Sequence, residues 1–199
     1  MRGRRFAWAL LLLGALLPRV ALAHAAGGEA GAGFFAGFLH PITGIDHVLA
    51  MFAIGLWGSQ LGMPGIWVLP VAFPLVMSFG GALGIAGVPL PGTEIGIAIS
   101  VIALGSVIAL SLRPPLPVAL GLAAFFAIFH GHAHGAELPH QASAITYCAG
   151  FVLATGLIHL SGIAVGLVIH LPRGPVLVRA GGCAIALAGV WLLGQLVIA

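Results

Sequence analysis

Lysine is absent from this 199-residue chain, and aspartate and glutamate together number only four. Without a lysine amine there is neither a Walker A phosphate loop nor Schiff-base cofactor chemistry, which argues against ATP hydrolysis within the polypeptide. Charged residues make up 6% of the chain, where a soluble domain carries about 25%, and the mean hydropathy is +1.20. These values exclude an ordinary soluble domain. All seven basic residues are arginines; they are too few and too scattered for a nucleic-acid surface. Cysteine is also scarce. Cys148 and Cys183 lie in apolar segments without CxxC spacing, a pattern that suits small buried side chains better than a disulfide or a thiolate metal site.

What fills the chain instead is a series of long apolar runs. The N-terminus has the form of a secretory signal: Arg2, Arg4 and Arg5, an apolar stretch from Phe6 to Leu17, then the small-residue site Ala21-Leu22-Ala23. Cleavage there makes residues 1–23 a signal peptide and His24 the first mature residue. Residues 24–199 then form one transmembrane domain. Six spans are expected, at 34–59, 66–85, 95–112, 116–131, 142–165 and 176–197, each near the roughly 20 residues that cross hydrocarbon. Pro and Gly mark most of the joins, as in Met63-Pro64-Gly65 and Arg113-Pro114-Pro115.

Charge then predicts orientation. Arg113, Arg173 and Arg179 fall in or beside the third and fifth connections, whereas Glu29, Glu94 and Glu137 fall on the other side. By the positive-inside rule both mature termini lie outside the cytoplasm. Trp57 and Trp67 bracket the first cytoplasmic connection, as interfacial anchors would. Pairs such as Gly33/Gly37, Gly80/Gly84 and Gly162/Gly166 suit close helix packing in lipid.

Two short runs break the apolar pattern. One is His40-Pro41-Ile42-Thr43-Gly44-Ile45-Asp46-His47; the other is Phe129-His130-Gly131-His132-Ala133-His134-Gly135-Ala136-Glu137. Ionisable groups at bilayer depth cost about 2.5–3.5 kcal/mol each, so their default reading is functional. Imidazole with carboxylate is a ligand set for nickel, cobalt, zinc or copper. His40, Asp46, His47, His130, His134 and Glu137 are therefore the expected metal ligands. Glu94, His132, His140 and His159 are candidates along the ion's path.

Straight-helix arithmetic places His40 and His130 at a similar depth, and Asp46 and His47 near the midplane. It also separates His40 from His47 by about 10.5 Å along the axis. Either the helix breaks around Pro41 and Gly44, as in transporters, or the two histidines serve successive sites; successive or shared sites are favoured. His130 and His134 share a helix face, and His132 points away unless the segment unwinds. Competing readings are a metal-free hydrogen-bonded network for the set, an exposed loop acid for Glu137, capping of a helix start for Glu94, and an internal hydrogen bond for His159. His170 reads as an exposed cytoplasmic residue.

The two runs resemble the HupE/UreJ family of hydrogenase and urease accessory membrane proteins. Its H-P-x-x-G-x-D-H pattern is met by His40, Pro41, Gly44, Asp46 and His47. Its F-H-G-x-A-H-G-x-E pattern is met by Phe129, His130, Gly131, Ala133, His134, Gly135 and Glu137; His132 holds a variable position. The resemblance implies a nickel permease of the bacterial plasma membrane, with cobalt or zinc as alternative ions and soluble hydrogenase or urease maturation proteins as partners. It implies no catalysis by the chain. The expectation is thus an all-α, polytopic protein that passes Ni²⁺ across the lipid bilayer and binds no nucleic acid. Rival readings are an intramembrane zinc hydrolase and a membrane accessory protein that binds metal without transporting it.

Overall fold

A computed structural model describes residues 28–137 and 144–198. The expected signal peptide, His24 and His140 lie outside the described residues. Seven α-helices are described: α1 (Gly28–Thr43), α2 (Ile45–Leu61), α3 (Gly65–Ile85), α4 (Thr93–Ala109), α5 (Leu116–Ala136), α6 (Ala144–Gly166) and α7 (Gly174–Ile198). A 3-10 turn, Leu167–His170, follows α6. The all-α expectation holds among the described residues. Helices are the form that lipid imposes on such a sequence, because each backbone N–H and C=O must find its partner within the segment.

Helices α3, α5, α6 with its 3-10 turn, and α7 are each long and apolar enough to cross a membrane. Helices α1 and α2 make a fifth span only as a pair, bent by 81° between Thr43 and Ile45. Helix α4 has 17 residues, the lower limit for crossing. The expected fourth span, 116–131, continues through His134 to Ala136.

The bend has a local cause. Pro41 lies inside α1 and has no N–H to donate to the preceding turn. Gly44 then adopts extended backbone (φ −88°, ψ 109°) before α2 begins. Asp46 sits in the first turn of α2, where its carboxylate accepts the His47 backbone N–H at 2.8 Å and meets the positive end of the helix dipole.

Helix α2 is the centre of the bundle. Ala50, Met51, Ala53, Ile54, Leu56 and Trp57 are all buried, which leaves it no lipid-facing stripe. Helix α3 packs mainly on α5, α4 on α7, and α6 on both α1 and α2. The peripheral helices turn large apolar side chains outward, among them Val71, Leu75 and Phe79 on α3 and Leu187, Val190 and Trp191 on α7. One end of the bundle is tied by polar contacts. The Trp57 indole donates to the Leu112 carbonyl at 3.1 Å, the Gln60 amide to the Ile108 carbonyl at 3.1 Å, and Arg179 to the Ala109 carbonyl at 2.9 Å. Arg113 and Arg173 belong to the connections at this end, whereas Glu94 and Glu137 lie at the other.

Two expectations fail here. Trp57 is fully buried and hydrogen-bonded inside the bundle, so of this pair Trp67 alone, 52% exposed, is free to act as an interfacial anchor. Cys148 and Cys183 are free thiols on the exposed surface, not buried side chains. In lipid both the inward and outward faces of a helix are apolar, so hydropathy does not say which way a residue points.

The α3–α5 interface depends on glycine. A β-carbon on Gly131 or Gly135 would collide with the backbone carbonyls of Met77 and Gly81, respectively. Gly131→Ala and Gly135→Ala should each cost about 1–3 kcal/mol through overpacking, read as lowered thermal unfolding temperatures in detergent. Gly121→Ala, on the same helix but facing open space, should unfold no earlier than the parent.

Candidate metal centre

The 81° bend and the long α5 bring the two histidine runs together. The ring centroids of His40 and His134 are 4.8 Å apart, those of His134 and His47 4.1 Å, and those of His47 and His130 4.7 Å. Four imidazoles from α1, α2 and α5 thus form one continuous row. Helix α6 walls the row with aromatic rings: Phe151 lies 4.5 Å from His134 and Tyr147 5.9 Å from His40, centre to centre. At the deep end Phe73 of α3 meets His130 at 5.7 Å.

The register differs from straight-helix arithmetic. His130 lies against His47, and His134 bridges His47 and His40, where straight helices would set His130 beside His40. The bend causes this, because residues beyond Gly44 no longer descend along the axis of α1.

Carboxylates flank the row. Glu137, 58% exposed on its side chain, lies 3.2 Å from His40 Nε2. Asp46 Oδ1 lies 2.9 Å from His47 Nδ1. A carboxylate accepts, so Nδ1 of His47 carries the proton and Nε2 presents its lone pair. That nitrogen is buried and has no partner among the described residues. His130 is arranged the same way round. The Ser100 hydroxyl donates to the Ile97 carbonyl at 2.6 Å and therefore accepts from His130 Nε2–H at 2.7 Å. The free lone pair of His130 is then on Nδ1, also buried and unpartnered. Neither nitrogen of His134 has a partner. Orphaned buried polar atoms cost about 1–3 kcal/mol each; here there are four on three adjacent imidazoles, and three of the four present lone pairs.

That donor set is one that could hold a metal ion. His40, His134 and Glu137 each offer a ligand atom, all within 4.8 Å of one another. Two ligands about 2.1 Å from one ion stand at most about 4.2 Å apart, so a small closing movement completes the set. A cavity of about 260 Å³ opens onto it, lined by His40, Thr43, Asp46, His47, Glu94, His134 and Glu137 among others. Glu94, in the first turn of α4 with no side-chain cap bond at that helix start, faces the same space as Glu137.

The remaining histidines part company. His132 points away from the row: its Nε2–H donates to the Val88 carbonyl at 2.7 Å, and its Nδ1 lies 3.4 Å from the Thr93 hydroxyl. It therefore pins the α3–α4 connection rather than facing the cavity. His159 is buried on α6 against Phe73, at 5.9 Å between ring centres, with neither ring nitrogen bonded. The expected internal hydrogen bond is not made. His170 ends the 3-10 turn, far along α6 from the row.

Among the residues around the row, sequence reasoning missed Ser100, Phe73, Tyr147 and Phe151. A lone serine in an apolar helix commonly bonds its own backbone, so Ser100 carries no signal until His130 is seen beside it.

The HupE / UreJ protein family model matches residues 10–192. The chain belongs to the HupE/UreJ family. It is 45% identical over 177 residues to Protein HupE of Rhizobium leguminosarum bv. viciae, covering 89% of this chain and 92% of that relative. No solved structure matches it. Family membership and several long apolar helices together make this a multi-pass membrane protein.

The hydrogen-bond pattern predicts opposite tautomers for the two deep histidines. Long-range ¹H–¹⁵N spectra of the metal-free protein at neutral pH should show Nδ1–H for His47 and Nε2–H for His130. Ser100→Ala should disturb only His130, and Asp46→Asn should disturb His47 first. The same tautomer on both rings would contradict the assignment.

Proposed function

We propose that this protein is a permease that admits Ni²⁺ across the bacterial plasma membrane and supplies the maturation of a nickel enzyme such as a hydrogenase or urease. The observation that carries this reading is the row of four imidazoles from three helices, three with buried unpartnered nitrogens, open to a cavity edged by carboxylates. Nickel over other divalent ions comes from family membership; cobalt or zinc would suit the same donors.

The topology proposed with it has six crossings after a cleaved signal peptide. The bent α1–α2 pair is the first, and α4, about 25 Å long by helical rise, is the third. The arginine-bearing end faces the cytoplasm by the positive-inside rule, which sets the cavity on the outside. Negative charge at Glu94 and Glu137 raises the local concentration of cations at the mouth. His40, His134 and Glu137 replace part of the hydration shell, and His47 with His130 receives the ion one turn deeper. Asp46 holds the His47 lone pair inward and contributes the charge that offsets a cation in a low dielectric. Neutral imidazoles exchange in sequence, so no single station need bind tightly, as conduction requires.

In proteoliposomes at matched protein incorporation, Asp46→Asn and His134→Ala should each reduce initial ⁶³Ni²⁺ uptake by about 10–100-fold, the usual cost of removing a ligand's support or the ligand itself. Undiminished flux in both would overturn the proposal. Protons compete with metal for imidazole, and metal needs the neutral ring. Uptake should therefore be highest near neutral external pH and fall as the medium is made more acid, with Ni²⁺ binding weakening in step. Uptake that rises as the medium is acidified, with the protein intact, would count against histidine ligation.

A further inference from the structure

Beyond the row, a second set of polar atoms lies buried and unsatisfied. Thr155 and His159 stand one turn apart on one face of α6, 0% and 2% exposed. Hydroxyls in helices commonly return their proton to a carbonyl three or four residues earlier, and Ser59, Ser78, Ser100 and Ser161 all do so here. The Thr155 hydroxyl does not, and it has no other partner among the described residues; nor has either nitrogen of His159. Three orphaned polar atoms on adjacent turns are rare in a packed interior unless they serve a ligand.

Their position continues the row. Phe73, fully buried, meets His130 at one contact and His159 at another, with ring centres 5.7 and 5.9 Å away. Backbone packing closes this level on the α2 side, where a β-carbon on Gly55 would collide with the His159 carbonyl. His159 lies nearer than Thr155 to Gly166, the end of α6 that the proposed topology sets toward the cytoplasm.

We propose that Thr155 and His159 form an inner station for the permeating divalent transition-metal ion, with the Phe73 ring as the apolar partition between it and the four-histidine row. This rests on the permease reading above. One imidazole and one hydroxyl leave most of the ion's coordination to water. Such a station binds weakly and releases readily, which is what the last step of conduction needs. The Phe73 ring must swing for the ion to pass, so the two stations are not in open continuity.

The experiment combines ⁶³Ni²⁺ flux in proteoliposomes with equilibrium Ni²⁺ binding by the purified full chain. His159→Ala should lose about 10-fold or more of the flux while the affinity of the outer row stays within about twofold, since none of the row's ligands is altered. Thr155→Val, which keeps the shape and removes the hydroxyl, should show a smaller loss in the same direction, and it carries the test if His159→Ala fails to fold. A purely structural role is separated by His159→Cys in a Cys148→Ser, Cys183→Ser background. A thiolate on the path binds soft Cd²⁺, so Cd²⁺ should block flux in that variant at concentrations that leave the cysteine-free parent running. Unchanged flux in His159→Ala and Thr155→Val, or no Cd²⁺ block, would overturn the inner station, provided His134→Ala is inactive. Normal flux in His134→Ala would overturn the permease reading itself.

Discussion

The bend at Gly44 decides what the first histidine run can do. On a straight helix His40 and His47 would stand about 10.5 Å apart along the axis, and no single neighbour on α5 could touch both. With α1 and α2 turned through 81°, both rings reach His134, and His47 also reaches His130. Proline and glycine make the turn available, and Asp46 stabilises the new helix start while fixing the His47 tautomer. The same carboxylate thus serves the fold and the site.

The second constraint is distance of approach. Helices α3 and α5 meet backbone to backbone at Gly131 and Gly135, and His130 and His134 leave α5 on the side that faces α2. Lipid offers no hydrophobic drive for helix association, so such contacts carry much of the packing. Glycines around His134 therefore do more than permit dense packing, because they fix the level at which the imidazole row runs.

Much of this was legible in the sequence, for physical reasons. Apolar runs near 20 residues stand out because lipid demands them, and His40, Asp46, His47, His130 and His134 stand out because lipid penalises them. The possibility of a break near Pro41 and Gly44 was also readable. Its angle was not, because it depends on how α2 packs among α3, α4 and α6. The pairing of His130 with His47 rather than His40 followed from that angle. Ser100 and Thr155 were hidden for a different reason: a helical hydroxyl ordinarily satisfies itself, and only the neighbours of these two reveal whether it does. Trp57 and the two cysteines were misread because an apolar or amphipathic residue in a span fits an inward or an outward face equally well.

The central claim is that imidazoles from both histidine runs together replace water around one ion. X-ray absorption at the nickel K-edge, on the full chain loaded with one equivalent of Ni²⁺, reads that shell directly. The account predicts two or more imidazoles, seen by the characteristic scattering of their outer ring atoms, with nitrogens at about 2.1 Å, and loss of part of that signal in both His40→Ala and His134→Ala. A shell of oxygens alone, or one unchanged by either substitution, would contradict it.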